Sequence, residues 1–208
     1  MGDILLDEQT FPATPAAGQG ILWFDSVLNL PFYVDDAGRK WGRSHRASVA
    51  SQGPGFAADT YVTDSGILIP SFGFQIQTMF EWLLSASKTA AGAATPVYQI
   101  RIGAAQTTAD TSRLTLTGPA QTAAVDIGIC KIVVIVRSVN AAGVIQGTAG
   151  WNHNGAAAGF ANNDAGTVEA TSAGFDNTAL SGLFVGLSIN GGASAAWTVT
   201  QSRAIANW

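Results

Sequence analysis

Hydrophobic and polar residues alternate with a period of two through much of this chain from about residue 61 onward. Successive side chains of a β-strand point to opposite faces of a sheet, so this alternation predicts strands with one buried face. The predicted buried positions are Phe72, Phe74, Ile76, Phe80, Trp82 and Leu84, then Tyr98, Ile100 and Ile102, Leu114 and Leu116, Leu183, Val185, Leu187 and Ile189, and finally Trp197 and Val199. Turn-rich stretches separate these segments, and the pattern predicts an all-β fold, an antiparallel β-sandwich that is jelly-roll-like.

One segment, ICKIVVIVR, does not alternate, because it is apolar at both parities apart from Lys131 and Cys130. Such a run is typical of a central strand that is covered on both faces, or of one whose second face is covered by a neighbouring subunit. Cys130 is the single cysteine, so it has no partner for an internal disulfide. We expect it to be a small buried hydrophobe.

The first sixty residues follow a different pattern. A Pro/Ala/Gly-rich lead-in precedes two strand-like runs, GILWFDS and LPFYVDD, and the turn DDAGR follows them. Residues 43–60 are rich in Gly, Ser and Ala. These features predict an extended N-terminal arm (1–20), a small β-meander that acts as an attachment module (21–46), a linker (47–60) and a β-sandwich or jelly-roll domain (61–208).

The composition limits the classes of function. Charged residues make up only 12 % of the chain, the formal net charge is -4 and the pI is about 4.9. Nucleic-acid-binding domains normally carry a basic face, so we expect no nucleic-acid partner. The apolar runs are much shorter than the ~20 residues of a membrane helix, and no secretory signal is recognisable. A surface with so few charges suits a protein that is largely covered in an assembly.

The sequence offers little catalytic chemistry. His45 and His153 belong to no metal-binding spacing. The stretch GLSIN resembles a nucleophile elbow, but Asn190 replaces the final glycine and no helix signal follows. We therefore expect no enzymatic activity, no catalytic residue, no cofactor and no metal.

The aromatic and aliphatic residues of the N-terminal region are the candidate partner-binding residues: Ile4, Leu5, Leu6 and Phe11 in the arm, and Trp23, Phe24, Phe32, Tyr33 and Trp41 in the meander. The meander is too short to bury all its aromatics by itself. They either close a small core against the main domain or anchor a partner, as Trp and Tyr commonly do.

Two further tryptophans have alternative interpretations. Trp151 and His153, beside a glycine-rich stretch, are a candidate glycan contact in which the tryptophan ring stacks on a sugar. The alternative for Trp151 is a core residue at the end of a strand. We expect Trp208 to pack into a groove.

The opening stretch fits the pattern P-x-x-P-x-x-G-x-x-x-L-[WY]-x-D-x, followed by DD-x-G, at Pro12, Pro15, Gly18, Leu22, Trp23, Asp25, Asp35, Asp36 and Gly38. It resembles a module of virion proteins in tailed bacteriophages. The stretches SKTAAGAATPVYQIRIG and TTADTSRLTLTGPAQTAAVDIG resemble a domain of phage head-fibre, decoration and tail-fibre proteins.

This resemblance implies a virion structural protein, made in the host cytoplasm, that decorates or projects from the capsid surface as a decoration protein or head fibre. Its N-terminal region would bind the major capsid protein or other virion proteins. The resemblance also implies a homotrimer. The alternative is a tail-associated fibre protein that binds a host-surface glycan. The resemblance supplies no catalytic residue.

Overall fold

The computed structural model describes residues 8–10, 12–89, 91–153, 159–160 and 168–208, and these residues form strands, turns and irregular segments without any helix. The prediction of an all-β fold is confirmed. In chain order the strands are β1 (Glu8–Gln9), β2 (Gly20–Asp25), β3 (Pro31–Asp35), β4 (Lys40–Trp41), β5 (Arg43–Ser48), β6 (Gln52–Gly55), β7 (Thr60–Tyr61), β8 (Ile67–Leu68), β9 (Met79–Lys88), β10 (Val97–Gly103), β11 (Thr111–Thr117), β12 (Asp126–Ser138), β13 (Val144–His153), β14 (Val168–Thr171), β15 (Phe184–Asn190) and β16 (Trp197–Asn207).

The strands form three sheets. The small N-terminal sheet has the order β1-β2-β3-β4, and only its β1–β2 pair is parallel. A five-stranded sheet has the order β11-β10-β15-β7, with β8 also paired to β15. A seven-stranded sheet has the order β14-β13-β12-β9-β16-β5, with β6 also paired to β16. The five- and seven-stranded sheets are antiparallel and pack as a sandwich.

The sandwich core lies between these two sheets. The seven-stranded sheet contributes inward side chains such as Trp82 and Ile132, and the five-stranded sheet contributes Ile100 and Leu187. All four are fully buried, as the alternation in β9, β10 and β15 predicts for three of them. Burial of a large apolar side chain contributes roughly 1.5–3 kcal/mol, so this core dominates the stability of the fold.

Strand β12 is central in the seven-stranded sheet, between β9 and β13, but only one of its faces is buried. Its inward residues, Cys130 among them, are buried as predicted. Ile127, Ile129 and Ile135 point the other way and are exposed. The first interpretation of ICKIVVIVR, coverage of both faces within one chain, is therefore wrong. Coverage by a neighbouring subunit stays a prediction.

The strand predicted across residues 71–87 begins only at Met79. Gly73 and Gln77 have φ values of 71° and 74°, and hydrogen bonds from Gly73 N to Pro70 O and from Thr78 N to Gln75 O close turns here. Left-handed backbone interrupts a strand, so alternation does not assign the faces of this segment. As a result, Ile76 is exposed and the prediction of its burial is wrong.

The region between the small sheet and the sandwich differs from the predicted boundaries. The small sheet ends at Trp41, and β5 (Arg43–Ser48) already pairs with β16 in the seven-stranded sheet. Part of the predicted linker, Gln52–Gly55, pairs with the same strand. The two inward serines of β5, Ser44 and Ser48, are buried although polar, so the sequence carried no apolar alternation that marks a strand.

Candidate attachment surface

The inner face of the small sheet is fixed to the sandwich by aromatic packing. Trp23 and Phe32 lie opposite each other on β2 and β3 and are buried. Both rings contact Phe72, which in turn packs edge-on against Trp208, with ring centroids 6.2 Å apart. Trp208 also meets Phe80 of β9 edge-on at 5.4 Å. Trp23 and Phe32 therefore close a shared core with the main domain, as one of the two interpretations predicted for the meander.

Trp208 occupies the groove between the two parts, as predicted. It is buried, and its indole Nε1 donates a hydrogen bond to Ser44 Oγ (3.1 Å). Its backbone N donates to Gly42 O (3.0 Å). A Cβ on Gly42 would lie only 2.1 Å from the Phe32 ring, so glycine is required at this close approach.

Asp25 also links the small sheet to the sandwich, through hydrogen bonds. Its carboxylate is fully buried and accepts hydrogen bonds from the backbone N of Val27 (2.9 Å) and of Leu28 (3.0 Å), which shape the β2–β3 turn. It also accepts from Ser71 N (3.1 Å) and Ser71 Oγ (2.5 Å), on the segment that leads into β9. Hydrogen bonds to a buried charge are stronger than those between neutral groups, so Asp25 positions the meander firmly.

The outer face of the small sheet carries an exposed apolar row. Leu22, Tyr33 and Trp41 are direct cross-strand neighbours on β2, β3 and β4. They are 55 %, 43 % and 53 % exposed. We call these three residues the aromatic row. Phe24, opposite Pro31, lies on the same face and is half-buried. The row is the part of the meander that is free to contact a partner.

A hairpin turn next to the aromatic row is held by Asp35 and Arg39. Asp35 accepts hydrogen bonds from Ala37 N (3.0 Å), Arg39 N (2.9 Å) and Arg39 Nε (2.7 Å). Desolvation raises the pKa of Asp35, but these bonds and the charge of Arg39 outweigh it and lower that pKa. The Arg39 guanidinium also lies 6.0 Å from the centroid of the Trp41 ring. The turn therefore places a cation at the end of the aromatic row.

A cleft of about 360 Å³ separates the aromatic row from the start of β9. Trp41 and Ile76 form its apolar walls, and Arg39 and Lys40 add positive charge. Burial lowers the pKa of Lys40, whose Nζ lies 5.5 Å from the centroid of the Phe72 ring. Together, the row and the cleft form a mixed apolar and cationic surface.

Trp151 faces the sandwich core from β13. Its ring is stacked on Phe160, with centroids 3.9 Å apart and planes 6° apart, and Phe160 is fully buried. Its Nε1 donates a hydrogen bond to Tyr98 Oη (2.6 Å), which joins the two sheets. One face of this ring is therefore covered, and Trp151 is partly buried against the core, which supports the alternative of a core tryptophan near a strand end. The glycan contact stays a prediction.

Some predicted site residues fall outside the structural description. Ile4, Leu5, Leu6 and Phe11 lie outside the described residues. The backbone of His153 pairs with Gly128 at the end of β13, but its side chain is not among the described ones.

Leu22, by contrast, belongs to the aromatic row although it was not among the candidates. The alternation within GILWFD carries this signal, because Leu22 and the buried Trp23 have opposite parity.

The described residues offer no evident catalytic constellation. They contain no group of three or more His, Cys, Asp or Glu side chains that could hold a metal ion. Ser188 of GLSIN is fully buried and accepts a hydrogen bond from Arg101 Nε (2.7 Å). Burial raises the pKa of the Cys130 thiol far above its usual range. In the same described part of the chain, no helix is long and apolar enough to span a membrane.

Comparison with known proteins gives no match for this chain, either to a family model or to a curated protein.

Proposed function

We propose that this chain is a non-enzymatic structural protein of a bacteriophage virion, which decorates or projects from the capsid. The observation that carries the proposal is the aromatic row on the outer face of the small sheet. Exposed Trp and Tyr side chains are common anchors of protein–protein interfaces, and the row places one of each next to the exposed Leu22 on one face. The major capsid protein, or another virion protein, is the proposed partner.

The two faces of the small sheet suit such an attachment. The inner face is held to the sandwich by Asp25 and by the aromatic contacts of Phe72 and Trp208. A partner bound to the outer face would therefore hold the whole molecule, and the sandwich would project away from the particle. The low charge of the chain supports an assembled, covered state.

The alternative proposal is a tail-associated fibre protein that binds a host-surface glycan. Its motivating residue was Trp151, whose ring is stacked on Phe160. The capsid proposal has the better support, because two of its candidate side chains, Tyr33 and Trp41, are exposed together on one face.

Immunogold labelling of intact particles in negative-stain micrographs separates the two proposals. We expect label distributed over the head. Label confined to the tail tip would overturn the capsid proposal and favour receptor binding.

A binding experiment tests the aromatic row itself. We expect Tyr33→Ala with Trp41→Ala to raise the dissociation constant for capsids that lack this protein, measured by co-sedimentation, by at least about a hundredfold, because hot-spot truncations cost about 2 kcal/mol or more each and each 1.4 kcal/mol is tenfold. Val49→Ala, at an exposed valine outside the small sheet, is the matched control and should leave binding unchanged. Wild-type protein that never co-sediments, or a double variant that binds like wild type, would contradict the assignment.

A further inference from the structure

The outer face of the seven-stranded sheet carries a second exposed apolar surface. Ile127, Ile129, Val133 and Ile135 point outward from β12 and form what we call the apolar stripe. The three isoleucines are 66 %, 43 % and 39 % exposed, and Val133 is half-buried. Lys131 lies between Ile129 and Val133 on the same face, so the stripe consists of two apolar pairs on either side of one cation. Soluble monomers rarely expose this many large apolar side chains at the centre of a sheet.

Small outward side chains lie beside the stripe on β13. Thr148 and Gly150 of β13 lie opposite Val133 and Lys131. Two depressions, of about 510 and 200 Å³, adjoin the stripe, and Thr148 lines both. On the other side, β9 carries the larger outward residues Met79 and Leu83, so the furrow of small residues lies on the β13 side alone. The large residues of β12 in a second copy can enter this furrow.

The charges on this face are paired within the chain. Glu81 forms ion pairs with Lys131 Nζ (2.9 Å) and, more loosely, Arg203 (3.5 Å). Near the C-terminal end of β12, Gln146 of the neighbouring strand β13 accepts a hydrogen bond from Arg137 and donates one to Glu169. These residues are three cations and two carboxylates, so the face carries a small net positive charge beside its apolar residues. A strongly basic partner is therefore a poor match, and a largely apolar partner with few charges suits the face better.

We propose that the apolar stripe is the contact between copies of this chain. The outer faces of β13, β12, β9 and β16, each at least ten residues long, measure about 34 Å by 19 Å, or ~650 Å². This area lies within the roughly 600–1,000 Å² that each partner contributes to a stable interface. A second copy supplies a surface of matching area that is mainly apolar and carries few charges. The inference rests on the proposed function in so far as a virion protein of this kind would act as an assembly of several copies.

Light scattering coupled to size-exclusion chromatography, over a range of concentrations, tests this contact without any capsid. One chain has a mass of 21.4 kDa, and we expect the wild-type protein to have at least twice that mass. Ile129→Asp should raise the dissociation constant by at least about a hundredfold and give a monomer, because it buries an unpaired carboxylate in the contact. Val49→Asp introduces the same charge at an exposed valine away from the stripe and should leave the mass unchanged.

Thr148→Trp keeps the experiment informative if Ile129→Asp does not fold. The large Trp side chain fills the depressions that Thr148 lines, whereas Ile129→Asp adds a charge to the stripe. Thr148→Trp should therefore also give a monomer. A wild-type monomer at every concentration would overturn the inference. An oligomer that persists in both folded variants would place the contact on another surface and overturn it as well. Capsid co-sedimentation of the monomeric variants tests the proposed function separately, since their aromatic row is intact.

Discussion

The small N-terminal sheet and the sandwich are both built from alternating strands, but they are stabilised in different ways. The sandwich encloses its own core between two sheets. The small sheet buries only Trp23, Phe32 and Val34 among its described apolar residues, and this inner face is completed by Phe72 and Trp208 from outside the sheet. A two-layer core is needed for independent stability. The small sheet therefore depends on the sandwich, whereas the sandwich does not depend on it.

This difference predicts two levels of opening. Native proteins open in cooperative units whose free energies range from near zero to that of global unfolding. The small sheet should open at a lower free energy than the sandwich, because it loses few buried side chains when it detaches. Under the proposed function, this order would let the small sheet adjust to a partner while the sandwich stays folded.

The largest effect should come from the sandwich core. Trp82→Ala removes a fully buried ring and the hydrogen bond from its Nε1 to Ser65 O (2.8 Å). We expect the free energy of unfolding to fall by about 3–5 kcal/mol, as measured by urea denaturation. Labelling of the Cys130 thiol gives an independent readout, because this thiol is fully buried and reacts only after the sandwich opens.

Trp82→Phe is the matched control for the loss of the ring. It keeps most of the volume and removes the hydrogen bond to Ser65 O, so its effect should be clearly smaller than that of Trp82→Ala. If Trp82→Ala left the rate of Cys130 labelling unchanged, the sandwich would not be the unit that this core stabilises.

A smaller effect, confined to one region, should come from Asp25→Ala. The change leaves the backbone N of Val27, Leu28 and Ser71 without their acceptor. We expect the free energy of opening of the small sheet to fall by about 1–3 kcal/mol, with the amides of β9, β12 and β16 unaffected. Hydrogen exchange followed by mass spectrometry measures both regions in one experiment.

Asp36→Ala is the control for Asp25→Ala, because Asp36 is exposed and accepts a hydrogen bond from Gly18 N (2.6 Å) within the turn region. It should change exchange much less than Asp25→Ala does. Equal loss of protection in the sandwich and the small sheet after Asp25→Ala would show that the two regions open together, and the comparison would fail.

The strands of the sandwich were predictable wherever their inward positions are all apolar. Tyr98, Ile100 and Ile102 in β10 are buried as the alternation requires, and Leu114 and Leu116 in β11 are too. β5 was not predictable, because its buried serines carry no apolar signal and one of them, Ser44, accepts its hydrogen bond from the distant Trp208. The turn before β9 depends on the left-handed backbone of Gln77. Glutamine rarely adopts this conformation, so the sequence gives no sign of the turn at this position.

The candidate site was predictable in part. The dense aromatics of residues 21–46 indicated a surface, but the sequence could not say which of them face outward. That assignment depends on the register Leu22–Tyr33–Trp41, and on Phe72 and Trp208 covering the opposite face. The apolar stripe was visible in ICKIVVIVR, but only the position of β12 within its sheet shows which side of the strand stays uncovered.

The smallest effect should come from the turn beside the aromatic row. Because the pKa of folded Asp35 lies below its ordinary value of 3.8, its contribution to stability is complete above pH 3.8 and is lost as the pH falls through the lowered value. Arg39→Ala removes the Nε hydrogen bond and the charge, so the pKa of Asp35 should rise toward 3.8 while the backbone bonds from Ala37 and Arg39 keep part of the shift. An NMR titration of the carboxyl groups measures the pKa of Asp35 in both proteins.

Asp176, whose pKa is lowered by hydrogen bonds from Thr178, is the internal reference, and its pKa should be the same in both proteins. An unchanged titration of Asp35 would mean that the turn, and not Arg39, holds this carboxylate charged.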